Sequence, residues 1–178
     1  MKPDYPWFQL VEGDNLEQGD ILEQYPVFSP PADLPHDFDT EDAQEPDFYY
    51  EHMDLVIMTQ SCDLAQGKVP EILLCPMWKR SDYGEGEFAK ASGWEAARKG
   101  RYPAYHVLHR CELPGFEREH SVVDFRHVYT LPFRFVQARA RSNGQRIRLM
   151  PPYREHLAQA FARFFMRVGL PIDIPKFK

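Results

Sequence analysis

With 178 residues, 43% hydrophobic and 14% aromatic, the chain is long enough for one domain with its own core. No apolar run approaches the roughly 20 residues of a membrane-spanning helix, and no basic-then-apolar leader opens the sequence. Three cysteines, Cys62, Cys75 and Cys111, are too few and scattered for a disulfide framework or a paired-cysteine metal site, so a reducing, cytoplasmic setting with no membrane partner is expected.

The net charge of −6 conceals a dipole. Residues 1–67 hold 16 acidic side chains and one base (Lys2), net −15, whereas residues 68–178 hold 20 bases and 11 acids, net +9, and the two sum to −6. Residues 126–167 carry nine arginines against one acid, Glu155. Asymmetry of this kind suggests a surface for nucleic acid or an acidic partner. The structural alternative is that the acidic half folds over the basic half and neutralises it. The preference for arginine over lysine suits planar, bidentate contacts to phosphate or carboxylate.

In chain order, Gln18-Gly19-Asp20-Ile21 reads as a glycine-led turn into a first strand ending near Phe28. Residues 29–47, rich in proline and acid, read as a long loop within a single domain spanning 1–178. Asp54-Leu-Val-Ile-Met-Thr59 and Glu71-Ile-Leu-Leu-Cys-Pro-Met77 are short apolar runs typical of buried strands. Residues 85–100, with Phe88, Trp94 and Ala97 and a closing Gly100, predict an inserted amphipathic helix. Residues 102–108 and 121–124 are further strand candidates, joined by a loop containing Leu113-Pro114-Gly115. Residues 133–150 predict a β-hairpin about an Asn143-Gly144 type I′ turn. That register sets Arg141 opposite Arg146 and Arg139 opposite Arg148, and four like charges on one face predict an anion held there: nucleic-acid phosphate, an acidic partner or the chain's own acidic half. The last helix follows Pro151-Pro152, with Tyr153, Leu157, Ala160, Phe161, Phe164, Phe165 and Val168 at helical spacing and Gly169 and Pro171 closing it. The expected class is α+β: a small, strongly bent antiparallel sheet or SH3-like barrel with an inserted helix and a C-terminal amphipathic helix.

This layout resembles the MazF/PemK toxin family, an SH3-like barrel with a C-terminal helix. Gln18-Gly19-Asp20-Ile21 is similar to its opening strand, Leu55-Val-Ile-Met58 and Glu71-Ile-Leu-Leu-Cys-Pro76 to its second and third strands, and Ser121-Val-Val-Asp-Phe-Arg126 to a later one. The resemblance implies a bacterial toxin–antitoxin setting, RNA binding, and metal-free cleavage in which the ribose 2′-hydroxyl attacks. Where the family carries its catalytic Arg-Pro pair this chain has His52-Met53-Asp54, and where it carries Pro-Leu-Thr this chain has Pro76-Met77-Trp78. The resemblance therefore implies a scaffold for RNA without the family's active-site residues.

Two clusters are candidates for chemistry. Thr59-Gln60-Ser61-Cys62-Asp63 closes a buried strand, where polar groups sit on a rigid base. Cys62 can serve as a nucleophile if a neighbouring His or Arg lowers its pKa. The alternative is a buried structural Cys62 beside Asp63 as a helix cap. Arg126-His127 offers a histidine that titrates near neutrality and an arginine able to stabilise a phosphorane, the alternative being an ordinary surface pair. His106 and His109 fall on opposite faces of an extended strand, which argues against a metal pair. Gly84-Glu85-Gly86 lacks the context of a phosphate loop, so no cofactor is expected. The sequence thus predicts a non-catalytic module of a bacterial operon binding single-stranded RNA or an acidic protein surface, with a homodimer left open. The alternative is a metal-independent endoribonuclease.

Overall fold

A computed structural model describes residues 5–37, 47–83, 88 and 90–166. Eight strands and four helices follow in the order β1 (Phe8–Val11), β2 (Ile21–Ser29), β3 (Tyr49–Ile57), α1 (Ser61–Ala65), β4 (Glu71–Lys79), α2 (Ala91–Arg98), β5 (Tyr105–Leu108), β6 (Ser121–Asp124), β7 (Tyr129–Pro132), α3 (Phe133–Asn143), β8 (Arg146–Leu149) and α4 (Tyr153–Phe165). The class is α+β, as the residue pattern predicts. Six strands form one sheet in the order β2-β3-β4-β6-β5 with β7 also on β4, while β1 and β8 form a second. All pairings between named strands are antiparallel. The two sheets do not close into a barrel.

Strict alternation builds two cores. Leu55 and Ile57 of β3, with Ile72 and Leu74 of β4, face one side of the sheet, where Val136 and Ala140 of α3 cover them. Val56, Met58, Cys75 and Met77 face the other side and meet Phe125, Leu157, Phe161 and Phe164. A strand covered on both faces reads as an unbroken apolar run, which is why these two were legible. Leu157, Ala160, Phe161 and Phe164 form the inward stripe of α4. Phe165 is exposed, and the helix ends there; Val168, Gly169 and Pro171 lie outside the described residues. A third, smaller core joins Trp94 and Ala97 of α2 to Phe88 and Val122. Gly100 closes α2 at φ +71°, its N–H donating to the Ala97 carbonyl at 2.8 Å. The helix begins at Ala91, later than predicted, with Phe88 and Lys90 outside it; residues 85–87 and 89, and much of the 29–47 loop, lie outside the described residues.

The predicted hairpin does not form. Residues 133–143 are helical because Phe133, Val136 and Ala140 recur at i, i+3 and i+7 on the buried side, and Ala138, Ala140 and the arginines are good helix formers. Asn143-Gly144 ends the helix instead of turning a hairpin, with Gly144 at φ +81°. β8 pairs with β1 in the register Phe8↔Leu149 to Val11↔Arg146. It also reaches the start of β2, where the Leu149 N–H donates to the Gly19 carbonyl at 2.9 Å. Gly19 makes that approach possible: it sits at φ +86°, and a Cβ there would lie 3.0 Å from the Leu149 Cβ.

Candidate functional site

The four arginines expected to await an anion are distributed over two elements and hold groups of this chain. Arg146 and Arg148, on β8, are 7% and 6% exposed and converge on Asp20, which is fully buried. Arg146 Nε donates to Asp20 Oδ2 at 2.7 Å, and its terminal nitrogens donate to the Gly13 and Asn15 carbonyls at 2.8 and 2.6 Å. Arg148 donates to both Asp20 oxygens, to Glu17 and to the Asn15 carbonyl. Arg139 and Arg141 project from α3. Arg141 pairs with Asp14, whose carboxyl it holds below the usual range. Arg139 donates to the carbonyl of Gln24, the bulged residue of β2, at 2.9 Å and lies 4.9 Å from the Tyr25 ring centroid. At Arg141, Arg146 and Arg148 the acidic N-terminal segment folds over the basic one and neutralises it.

The segment after β3 is a structural closure. The Thr59 hydroxyl accepts from the Leu73 N–H at 2.7 Å, the Ser61 hydroxyl from the Gln18 N–H at 3.1 Å, and Gln18 Nε2 donates to the Met58 carbonyl at 2.7 Å. Asp63 lies in the first turn of α1 and is not its cap, since that position is Gln60, which caps without its side chain. Cys62 is exposed, correcting the expectation of a buried thiol, and its sulfur approaches Gln60 Oε1 at 3.7 Å and Asp63 Oδ1 at 3.8 Å. Neither is the cation that would favour a thiolate. Cys75 and Cys111 are the buried thiols, and Cys75 is pushed up to about 12 by burial and by the charge of Asp124.

Arg126 and His127 do form a cluster, organised by a carboxylate that sequence reasoning did not single out. Asp124 ends β6 with its side chain buried. Arg126 grips it with its side chain, Nη2 to Oδ2 at 2.7 Å and Nε to Oδ1 at 3.0 Å, and with its backbone N–H at 2.9 Å. His127 Nδ1 lies 3.3 Å from Oδ2. Burial by itself would raise the Asp124 carboxyl, but the Arg126 hydrogen bonds outweigh it and hold the group below the usual carboxylate range. The arginine also stands 4.7 Å from the Tyr105 ring centroid. A carboxyl depressed on folding adds stability above its unfolded pKa of about 3.9, and that contribution disappears as pH falls through the lower folded value. Asp124→Asn is therefore expected to cost about 1.5–3 kcal/mol at neutral pH. The gap from wild type should narrow in urea titrations below pH 4, and a gap that persists unchanged into acid would refute the ionic role.

Tyr105 also lines a cleft of about 660 Å³ between the end of α2, β5 and α4. Arg98 and Lys99 enter from α2, Arg163 and His156 from α4, and His106 from β5. No carboxylate lines it among the described residues, although acids outnumber bases in the whole chain. Arg98 and Lys99 share one partner, Glu95, at 2.7 and 3.0 Å, leaving positive charge in excess. Arg163 has no ion pair among the described residues. Burial and the neighbouring His156 lower His106 to about 4, so its ring is neutral near pH 7. Sequence reasoning missed this site, and its one local trace is the basic run Arg98-Lys99-Gly100-Arg101 after a helix. Comparison with protein-family models, curated proteins and solved structures finds no match to this chain.

Proposed function

We propose that this chain is a non-catalytic module that binds single-stranded nucleic acid along the surface running from Arg126 over Tyr105 into the cleft of Arg98, Lys99 and Arg163. The observation that carries the reading is a cleft lined by three cations and no carboxylate among the described residues, in a protein whose β8 arginines are spent on its own acids. Cations interleaved with tyrosine and histidine rings suit a strand with a phosphate at every step and a flat base between. The MazF/PemK resemblance points the same way, toward RNA. The positions matching that family's catalytic arginine and threonine support binding without cleavage. Met53 and Met77 are buried, and Asp54 accepts from Arg118 at 3.0 Å and from the Gln24 N–H at 3.1 Å.

Fluorescence anisotropy with a single-stranded oligonucleotide tests this. Affinity is expected to fall steeply with salt, by roughly 0.7 in log–log slope for each phosphate neutralised. RNA should remain intact during the assay. No binding at low salt would reject the reading.

One observation favours a second reading. Asp124 can orient His127 as a carboxylate orients a general base, with Arg126 alongside to meet phosphate charge. Cleavage leaving a cyclic phosphate without metal, lost in His127→Ala, would replace binding by catalysis.

A further inference from the structure

We infer that the cleft between α2, β5 and α4 is a pocket for a nucleoside phosphomonoester, the phosphorylated end of a strand or a free mononucleotide. The inference rests on the proposed strand-binding function for the strand and on the cleft alone for the nucleotide. A phosphodiester carries one negative charge, whereas a phosphomonoester carries about 1.5–2 near neutral pH and offers three acceptor oxygens. An extended strand would be served by cations spaced along an open groove. Here they converge from opposite sides, Arg98 and Lys99 at the end of α2 and Arg163 on α4, on one hollow of about 660 Å³. That volume lies within the roughly 300–1,000 Å³ usual for small-ligand sites.

The cations divide the work: Arg163 can engage two oxygens at once with its fork, Arg98 already spends Nε and Nη2 on Glu95, and the Lys99 ammonium acts as a point charge. Favourable placement near a helix C-terminus explains each cation singly. It does not explain why two helices aim theirs into the same hollow without a lining carboxylate. The remaining wall, including Tyr102, Pro103 and Val107, gives an apolar seat for a base or sugar. His156 is exposed on the α4 wall beside Arg163, and the neutral His106 ring of β5 can donate one N–H.

The test uses the full chain and fluorescent strands of about ten nucleotides, in matched pairs carrying a phosphate or a hydroxyl at the 5′ end and, separately, at the 3′ end. AMP and adenosine serve as competitors. One phosphate-ended strand is expected to bind at least about tenfold tighter than its hydroxyl twin, as about 1.5–2 added charges near several cations require. AMP should compete where adenosine does not. Lys99→Gln with Arg163→Gln should erase both differences while the urea midpoint stays at the wild-type value. Equal affinity for both members of each pair, with AMP inert, overturns this inference and leaves strand binding standing. Binding of AMP with no strand bound supports the pocket and overturns strand binding.

Discussion

Asp20→Ala is expected to destabilise the fold by about 3–5 kcal/mol, the range for removing one partner of a buried ion pair. Asp20 is fully buried and receives Arg146 and Arg148, themselves 7% and 6% exposed. Without it, two guanidinium groups stay inside the protein. They keep the Gly13 and Asn15 carbonyls, and Arg148 keeps Glu17, but they lose the charge that compensates their dehydration. Asp20 also marks the junction of the two sheets. It bridges to Arg148, and its carbonyl accepts from the Ile57 N–H at 3.0 Å. Loss of its side chain should loosen β1 and β8 against the larger sheet while the backbone bond from Leu149 to Gly19 remains. Urea denaturation reads the cost. A triple variant carrying leucine at Asp20 and methionine at Arg146 and Arg148 should recover much of it, because a packed apolar group removes the unpaired charge. A cost below about 1 kcal/mol for the single variant would show that water reaches these arginines.

Phe125→Ala is expected to cost a similar amount, about 3–5 kcal/mol, for a different reason: a large buried ring leaves a cavity its neighbours cannot fill. Phe125 is fully buried, with its ring centroid 5.4 Å from Phe161, 6.1 Å from Phe164 and 6.4 Å from His106. It thus pins α4 to the main sheet and lies in sequence between Asp124 and Arg126. The variant should also loosen the α4 wall of the cleft, which carries His156 and Arg163. Phe125→Leu should cost much less and leave oligonucleotide binding near wild type. If Phe125→Ala keeps full stability, the packing of α4 has been misassigned.

Much of the fold was legible because its signals are local. The runs at Leu55 to Met58 and Ile72 to Met77 have both faces buried, and the Leu157, Ala160, Phe161, Phe164 stripe has one. The hairpin failed because residues 133–143 contain two patterns at once. Arg139, Arg141, Arg146 and Arg148 suggest period two, whereas Phe133, Val136 and Ala140 have the helical period, and burial against β3, β4 and β7 decides for the helix. Asn-Gly serves a helix end as readily as a turn, since both need positive φ. β1 went unread because it is four residues long and buries only Phe8 fully. The charge dipole was visible, but its meaning depended on side chains more than a hundred residues apart, Asp20 with Arg146 and Arg148. The cleft was illegible for the same reason: Arg98, Lys99, His106, His156 and Arg163 are neighbours only after α4 packs against the sheet.

Nucleic-acid binding depends on which cations the fold leaves available. Oligonucleotide affinity as a function of salt should be measured for Lys99→Ala with Arg163→Ala and, separately, for Arg139→Ala with Arg141→Ala. The first pair is expected to weaken binding and reduce the log–log salt slope by roughly 1.4, about 0.7 for each single-strand phosphate no longer neutralised. The second is expected to leave both near wild type, because those arginines serve Gln24 and Asp14. The reverse pattern, with α3 arginines essential and the cleft cations dispensable, would contradict the proposed binding surface.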